Sequence, residues 1–204
     1  MKIIIILSII ILSVVIFKTI QAKTETQKYE TFYKKGKFEI RFYPEAILAS
    51  VPMDGTYDNS KNSGFRILAG YIFGGNKEEQ KIAMTSPVRV TDGKEVNTMS
   101  FVLPSKMEFD NLPEPMSKKI ILHQSKPVYT ASIQYGGYTN DEEIAKKKAE
   151  LLEILNELGI AFKDNFEYLG YNPPYQMINR KNEVLVELSE FNPDEFQKML
   201  VSKY

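Results

Sequence analysis

The chain has 204 residues, 26 basic and 26 acidic side chains, a single histidine and no cysteine. Hydrophobic residues make up 43% and charged residues 25%, a globular balance able to bury the core of one ordinary domain. Lacking cysteine, it cannot form disulfides, thiolate metal sites or cysteine nucleophiles. With His123 as its only histidine, it cannot build a His-pair metal site, and any Ser-His-Asp chemistry would have to run through that residue. No basic stripe interleaved with aromatics is present, so a nucleic-acid partner is not expected.

Lys2 precedes an apolar run from Ile3 to Phe17, broken only by Ser8 and Ser13. As a helix, fifteen residues span about 22 Å, short of a hydrocarbon core of about 30 Å. The basic start, the apolar run and the small residue Ala22 read as a secretory signal, with Ile20 an imperfect match to the cleavage pattern. The other reading is an uncleaved anchor, extended by Thr19 and Ile20 and by snorkelling of Lys18 or Lys23. Either reading places the folded part away from the cytoplasm: secreted or periplasmic if the segment is cleaved, membrane-anchored if it is not. Setting residues 1–22 aside removes Lys2 and Lys18 and leaves 24 basic against 26 acidic residues. Residues 23–27 are expected as a polar linker, 28–190 as the domain and 191–204 as a tail.

Phe38 to Tyr43 alternates apolar and charged residues, the pattern of a half-buried strand, and Pro44 ends it. Ala46 to Met53 forms a second strand before the Asp54-Gly55 turn. A helix is expected over 61–73, with Phe65, Leu68, Ala69 and Ile72 at helical spacing. Asn59, Ser60 or Ser63 would cap it, and Gly74-Gly75 would close it. Strands follow over 82–90 and 98–103, then 119–123 and 128–134. The span 140–158 has the strongest helical pattern: Ile144, Leu151, Leu155 and Leu158 form its stripe, Thr139 and Glu142 suggest a capping box, and Gly159 ends it. Strands over 166–171 and 183–188 close the domain, and 193–204 reads as a short helix with Phe196, Met199 and Leu200 as its apolar side.

The order strand-strand-helix-strand-strand thus occurs twice. Two such halves about a pseudo-twofold predict an α+β fold: an open, distorted β-barrel with one long helix packed per repeat, and a ligand cleft between the halves.

Several stretches resemble the SOUL heme-binding family, from Tyr29 to about Leu188. Phe38-Glu39-Ile40-Arg41-Phe42-Tyr43-Pro44 resembles its YEVRxYxP opening. Phe65, Leu68, Tyr71, Ile72, Gly74 and Asn76 match FxxLxxYIxGxN, and Lys81 to Val88 is similar to KIAMTAPV. Met99 to Pro104, Tyr171-Asn172-Pro173-Pro174 and Arg180 to Val184 resemble MxFVMP, YNPP and RRNEV in the family's order, with Leu103 and Lys181 as departures. The resemblance implies two βαβ-type repeats in a distorted barrel and non-covalent binding of heme or a related tetrapyrrole.

A heme needs an apolar wall and cations for its carboxylates. Phe65, Leu68 and Ile72 are the expected wall, with Arg66, Lys77 and Lys81 as the cations. Met84, Tyr71, Tyr175 and His123 are candidate axial ligands, none matching a ligand motif, so weak or absent ligation and a carrier or buffer role are expected. A wider resemblance is to the small-molecule domain of multidrug-responsive transcription regulators. It makes Glu183 a candidate cleft carboxylate, holding an aromatic or cationic ligand or, with its pKa raised by burial, acting as a general base in a hydrolase-like reaction. The plainer alternative pairs Glu183 with Arg180 or Lys181. A protein-interaction domain without a small ligand is the third reading. No nucleophile elbow or spaced carboxylate pair occurs, so a monomeric binder rather than an enzyme is expected.

Overall fold

The computed structural model describes residues 24–93 and 96–202. The N-terminal apolar segment lies outside the described residues. Within the described residues, eleven strands and three α-helices run in the order β1 (Glu25–Thr26), β2 (Glu30–Lys35), β3 (Phe38–Tyr43), β4 (Ala46–Met53), α1 (Tyr57–Ile72), β5 (Thr85–Ser86), β6 (Val88–Thr91), β7 (Asn97–Val102), β8 (Ile121–Ser125), β9 (Val128–Tyr135), α2 (Asp141–Leu158), β10 (Glu167–Gly170), β11 (Asn182–Glu187) and α3 (Pro193–Ser202). Nine strands form one antiparallel sheet in the order β2-β3-β9-β11-β10-β6-β7-β4-β8.

The fold is α+β, as the pattern predicted, but the expected barrel is not closed: among the described residues β2 and β8 are free edges. The sheet is nonetheless strongly curled. Strands β3 and β6 are four places apart, about 19 Å in a flat sheet, yet the Arg89 guanidinium on β6 lies 5.6 Å from the Tyr43 ring on β3.

Helix α1 packs on β4 and β7, and α2 on β9 and β11, both on the same face of the sheet. That face is apolar: Ala49, Val51, Met53, Met99 and Phe101 meet α1, and Ala131, Ile133, Val184 and Val186 lie towards α2. Leu68, Tyr71 and Ile72 of α1 and Leu151 and Leu155 of α2 complete the core. Gly64 of α1 faces Met53 and Met99, and a Cβ there would make ordinary contact with both, 3.4 Å from the Met99 sulfur.

Both helix starts differ from expectation. Helix α1 begins one turn early, after Thr56, and the amide of Tyr57 donates to Asp141 Oδ1 at the head of α2. In return, the Asp141 amide donates to Asp58 Oδ2. The two helix N-termini cap each other, so Asn59, Ser60 and Ser63 are helical residues. Helix α2 is capped by Asn140, whose side chain accepts from the Glu143 amide, in place of the Thr139–Glu142 box. Its end is as predicted: Gly159 takes φ 68°.

Two further differences shape the site. The expected strand over 82–90 is broken into β5 and β6. Residues 24–27, expected as linker, belong to the fold: β1 pairs with β5 in parallel, and Gln27 Oε1 accepts from Arg89. Tyr29 continues this N-terminal strap, its ring 4.1 Å from the Arg41 guanidinium.

Candidate functional site

Strand register decides which side chains enter the curl. Gln134, Glu183, Leu169, Arg89, Ser100 and Ser50 form one row across six consecutive strands, on the face opposite the helices. Glu39, Arg41, Thr130 and Ser132 share this face. Most of these residues are buried although neither long helix of the described residues covers them. The alternation in β3 that read as core against solvent is apolar core against a polar interior.

Arg41 and Glu183 form the centre of that interior. The Arg41 Nη1 and Nη2 groups donate to Glu183 at 2.6 and 2.7 Å, and Nε donates to Glu39 at 2.7 Å. Tyr171 donates its hydroxyl to Glu183, and Lys181 Nζ lies 3.1 Å from the same carboxylate. Desolvation pushes the Glu183 pKa up, but the Arg41 hydrogen bonds and charge, with Lys181 and Tyr171, outweigh it, and the pKa is lowered. This corrects the expectation of a raised, proton-accepting carboxylate. Glu183 is fully buried, and its main partner is Arg41. Among the described residues, the inner face around Arg41 and Glu183 is therefore filled by charged and aromatic side chains rather than left as an apolar cleft.

Concave regions of two kinds stand out among the described residues. A cavity of about 590 Å³ lies between the strap, the β3–β4 turn and the loop after β7, with Glu25, Glu45, Glu108 and Asp110 against Lys28 in its lining. A smaller cavity of about 330 Å³ lies on the inner face and is lined by Ser50, Arg89, Thr91, Thr98, Ser100, His123 and Glu167. In it, His123 Nε2 is 2.9 Å from Ser50 Oγ, which is 2.7 Å from Ser100 Oγ.

The residues expected as a heme wall are divided. Leu68 and Ile72 are buried in the core, and Phe65 stacks edge-on against Phe101 at 5.3 Å. Arg66 is exposed on α1, away from any wall that Leu68 and Ile72 provide. Tyr71 is buried and donates to the Pro113 carbonyl, which removes it as an axial ligand. Tyr175 is exposed.

Lys77, Lys81 and Met84 instead belong to a loop cluster at the C-terminal end of α1. The Ile82 amide donates to the Ile72 carbonyl, Met116 to Gly75 and Lys77 to Glu114, which ties three chain segments together. Asn76 is buried and bridges Tyr71 and Gln80. A side chain at Gly75 would bring its Cβ within 2.6 Å of the Gly70 carbonyl. This cluster exposes Phe73 (65%), Met116 (63%) and Met84 (37%). Lys77 pairs with Glu114 at 2.6 Å, and Lys81 is exposed with no carboxylate partner among the described residues. No sequence pattern marks Phe73 or Met116: the first closes the helical repeat of α1, and the second is brought in by its backbone hydrogen bond to Gly75.

The family model for SOUL heme-binding protein matches residues 24–187. Human heme-binding protein 2 is 31% identical over 165 residues, covering 76% of this chain and 80% of that protein. Heme-binding protein 1 of Xenopus laevis is 28% identical over 155 residues, covering 72% and 81%. Among solved structures, a hydrolase from Listeria innocua superposes with a TM-score of 0.54 at 11% identity, covering 77% of this chain and 94% of that one. The EcmrR C-terminal domain gives 0.56 at 10% identity, covering 76% and 98%. These structural likenesses concern the fold alone. By the family-model match over most of its length and by its identity to human heme-binding protein 2, the chain belongs to the SOUL heme-binding protein family.

Proposed function

We propose that this chain binds heme or a related tetrapyrrole non-covalently, as a carrier or buffer, on the loop cluster at the C-terminal end of α1. The observation that carries the reading is the exposure of Phe73, Met84 and Met116 beside Lys81. A planar apolar ring with two carboxylates needs such a surface with a cation at its edge. The two cavities suit it less. The larger one presents four carboxylates, which repel propionates, and the smaller is lined by hydroxyls and an Arg–Glu pair. Kinship with proteins named for heme binding supports the ligand class.

Docking on an exposed patch suits modest affinity and exchange, which supports a carrier role over electron transfer. The segment at residues 1–22 supports placement of the domain outside the cytoplasm, at or near a membrane. The test is a hemin titration of the purified full chain in mild detergent. The expected result is a Soret band saturating at one heme per chain, with His123→Ala retaining most of the affinity. A flat titration, or a large loss in His123→Ala, overturns the docking surface.

A further inference from the structure

The inner-face cavity holds an arrangement that a tetrapyrrole carrier does not need. Ser50 stands on β4, Ser100 opposite it on β7 and Arg89 opposite Ser100 on β6, one row across three strands. His123, on the edge strand β8, is the register partner of Leu48. Its ring is exposed, and Nε2 reaches 2.9 Å from Ser50 Oγ. Ser50 and Ser100 are themselves nearly buried, at 4% and 5% exposure, yet both line the cavity. A strand hydroxyl with no further role is ordinarily solvated or bonded to its own backbone. This one is linked to an imidazole 73 residues away and to a second hydroxyl 50 residues away.

We propose that Ser50 and His123 form a nucleophile–base dyad in a second site, one that accepts a small neutral ester. The site is separate from the heme surface and goes beyond that reading. With His123 neutral and its proton on Nδ1, Ser50 donates to Nε2 and accepts from Ser100, which polarises the Ser50 hydroxyl towards the imidazole.

Attack forms a bond from Ser50 Oγ to the ester carbonyl carbon, and the Ser50 proton passes to Nε2. Collapse of the tetrahedral intermediate breaks the carbon–oxygen bond to the leaving alcohol, which takes that proton from Nε2. Water then attacks the acyl carbon, giving a proton to Nε2 that returns to Ser50 as the acid leaves. Arg89 is the charge available for the oxyanion. Its Nε is committed to Glu167 and its Nη1 to Gln27, while Nη2 makes no hydrogen bond among the described residues. Glu167 offsets the net charge of the lining, which favours a neutral ester over an anionic one. No acceptor among the described residues orients Nδ1, so turnover is expected to be slow, with the acyl-enzyme accumulating.

The test uses the full chain with p-nitrophenyl acetate. A burst of p-nitrophenolate near one per chain is expected, with the acetyl group mapped by mass spectrometry to Ser50. Ser50→Ala should abolish the burst while leaving hemin binding unchanged, which keeps this test separate from the heme reading. His123→Ala should slow acylation by roughly 100-fold or more, with partial rescue by added imidazole. Labelling of the unaltered chain by a fluorophosphonate provides a readout that needs no variant, and the adduct is expected on Ser50. Acetylation confined to lysine or tyrosine overturns the proposal. So does a burst insensitive to His123→Ala, or an absence of fluorophosphonate adduct on Ser50.

Discussion

Arg41 and Glu183 lie 142 residues apart in the chain and meet fork to fork, at 2.6 and 2.7 Å, in the interior of the sheet. Both side chains are essentially without solvent contact. A buried pair of this kind adds little over an apolar replacement of both partners, but removing one leaves an unpaired charge in a poorly solvated place.

Arg41→Ala is therefore expected to cost about 3–5 kcal/mol in urea unfolding. Replacing Lys34, whose side chain is 62% exposed where it meets Glu39, by Ala should leave the urea midpoint nearly unchanged. Comparable losses for the two variants would show that the interior is hydrated.

The same network fixes an acid response. Glu183 and Glu39 both have lowered pKa values, because hydrogen bonds and charge from Arg41, with Lys181 or Lys34, overcome their desolvation. Carboxylates of this kind stabilise the fold fully above their unfolded pKa, near 4.3. That stability is lost as pH falls through the lower folded values. The melting temperature should be flat from neutral pH to about 5 with respect to these groups, then drop steeply. Glu183→Gln should lower the plateau and make the acid limb shallower.

For the loop cluster, Phe73→Glu or Met116→Glu is expected to weaken hemin binding about tenfold or more, since each puts a charge into an apolar contact. Lys81→Glu should weaken it several-fold, and that loss should shrink at high salt. Equal hemin affinity in all three variants would move the ligand elsewhere on the chain.

The reciprocal caps at the helix starts make a coupled pair. Asp58→Ala and Asp141→Ala should each cost about 1 kcal/mol, and the double variant less than their sum, because each serves the other's helix. Asn140→Ala should cost about the same as either single change and add independently to Asp58→Ala.

Local signals were legible where structure is local. The stripe of α2 and its Gly159 stop follow from spacing alone, and the six family motifs identify the fold. The start of α1 was not legible, because its cap comes from Asp141, 84 residues away. Strand β2 is an edge strand with a bulge between Thr31 and Tyr33, which blurs its alternation. Glu183 is a carboxylate of interest in the sequence, but its partner Arg41 lies on β3, and that distant cation is what lowers its pKa where burial alone would raise it. Ser50, Ser100 and His123 share no local pattern, and only the strand order β7-β4-β8 brings them together.

The strap also sets how a pull on the chain's N-terminal side is felt. Tension there would load first the two-residue β1–β5 ladder, then Gln27 on Arg89 and Tyr29 on Arg41, before reaching either long helix. A domain tethered at that end would thus carry mechanical strain directly to its ionic interior and, because Thr85 follows Met84, to the α1 loop cluster as well.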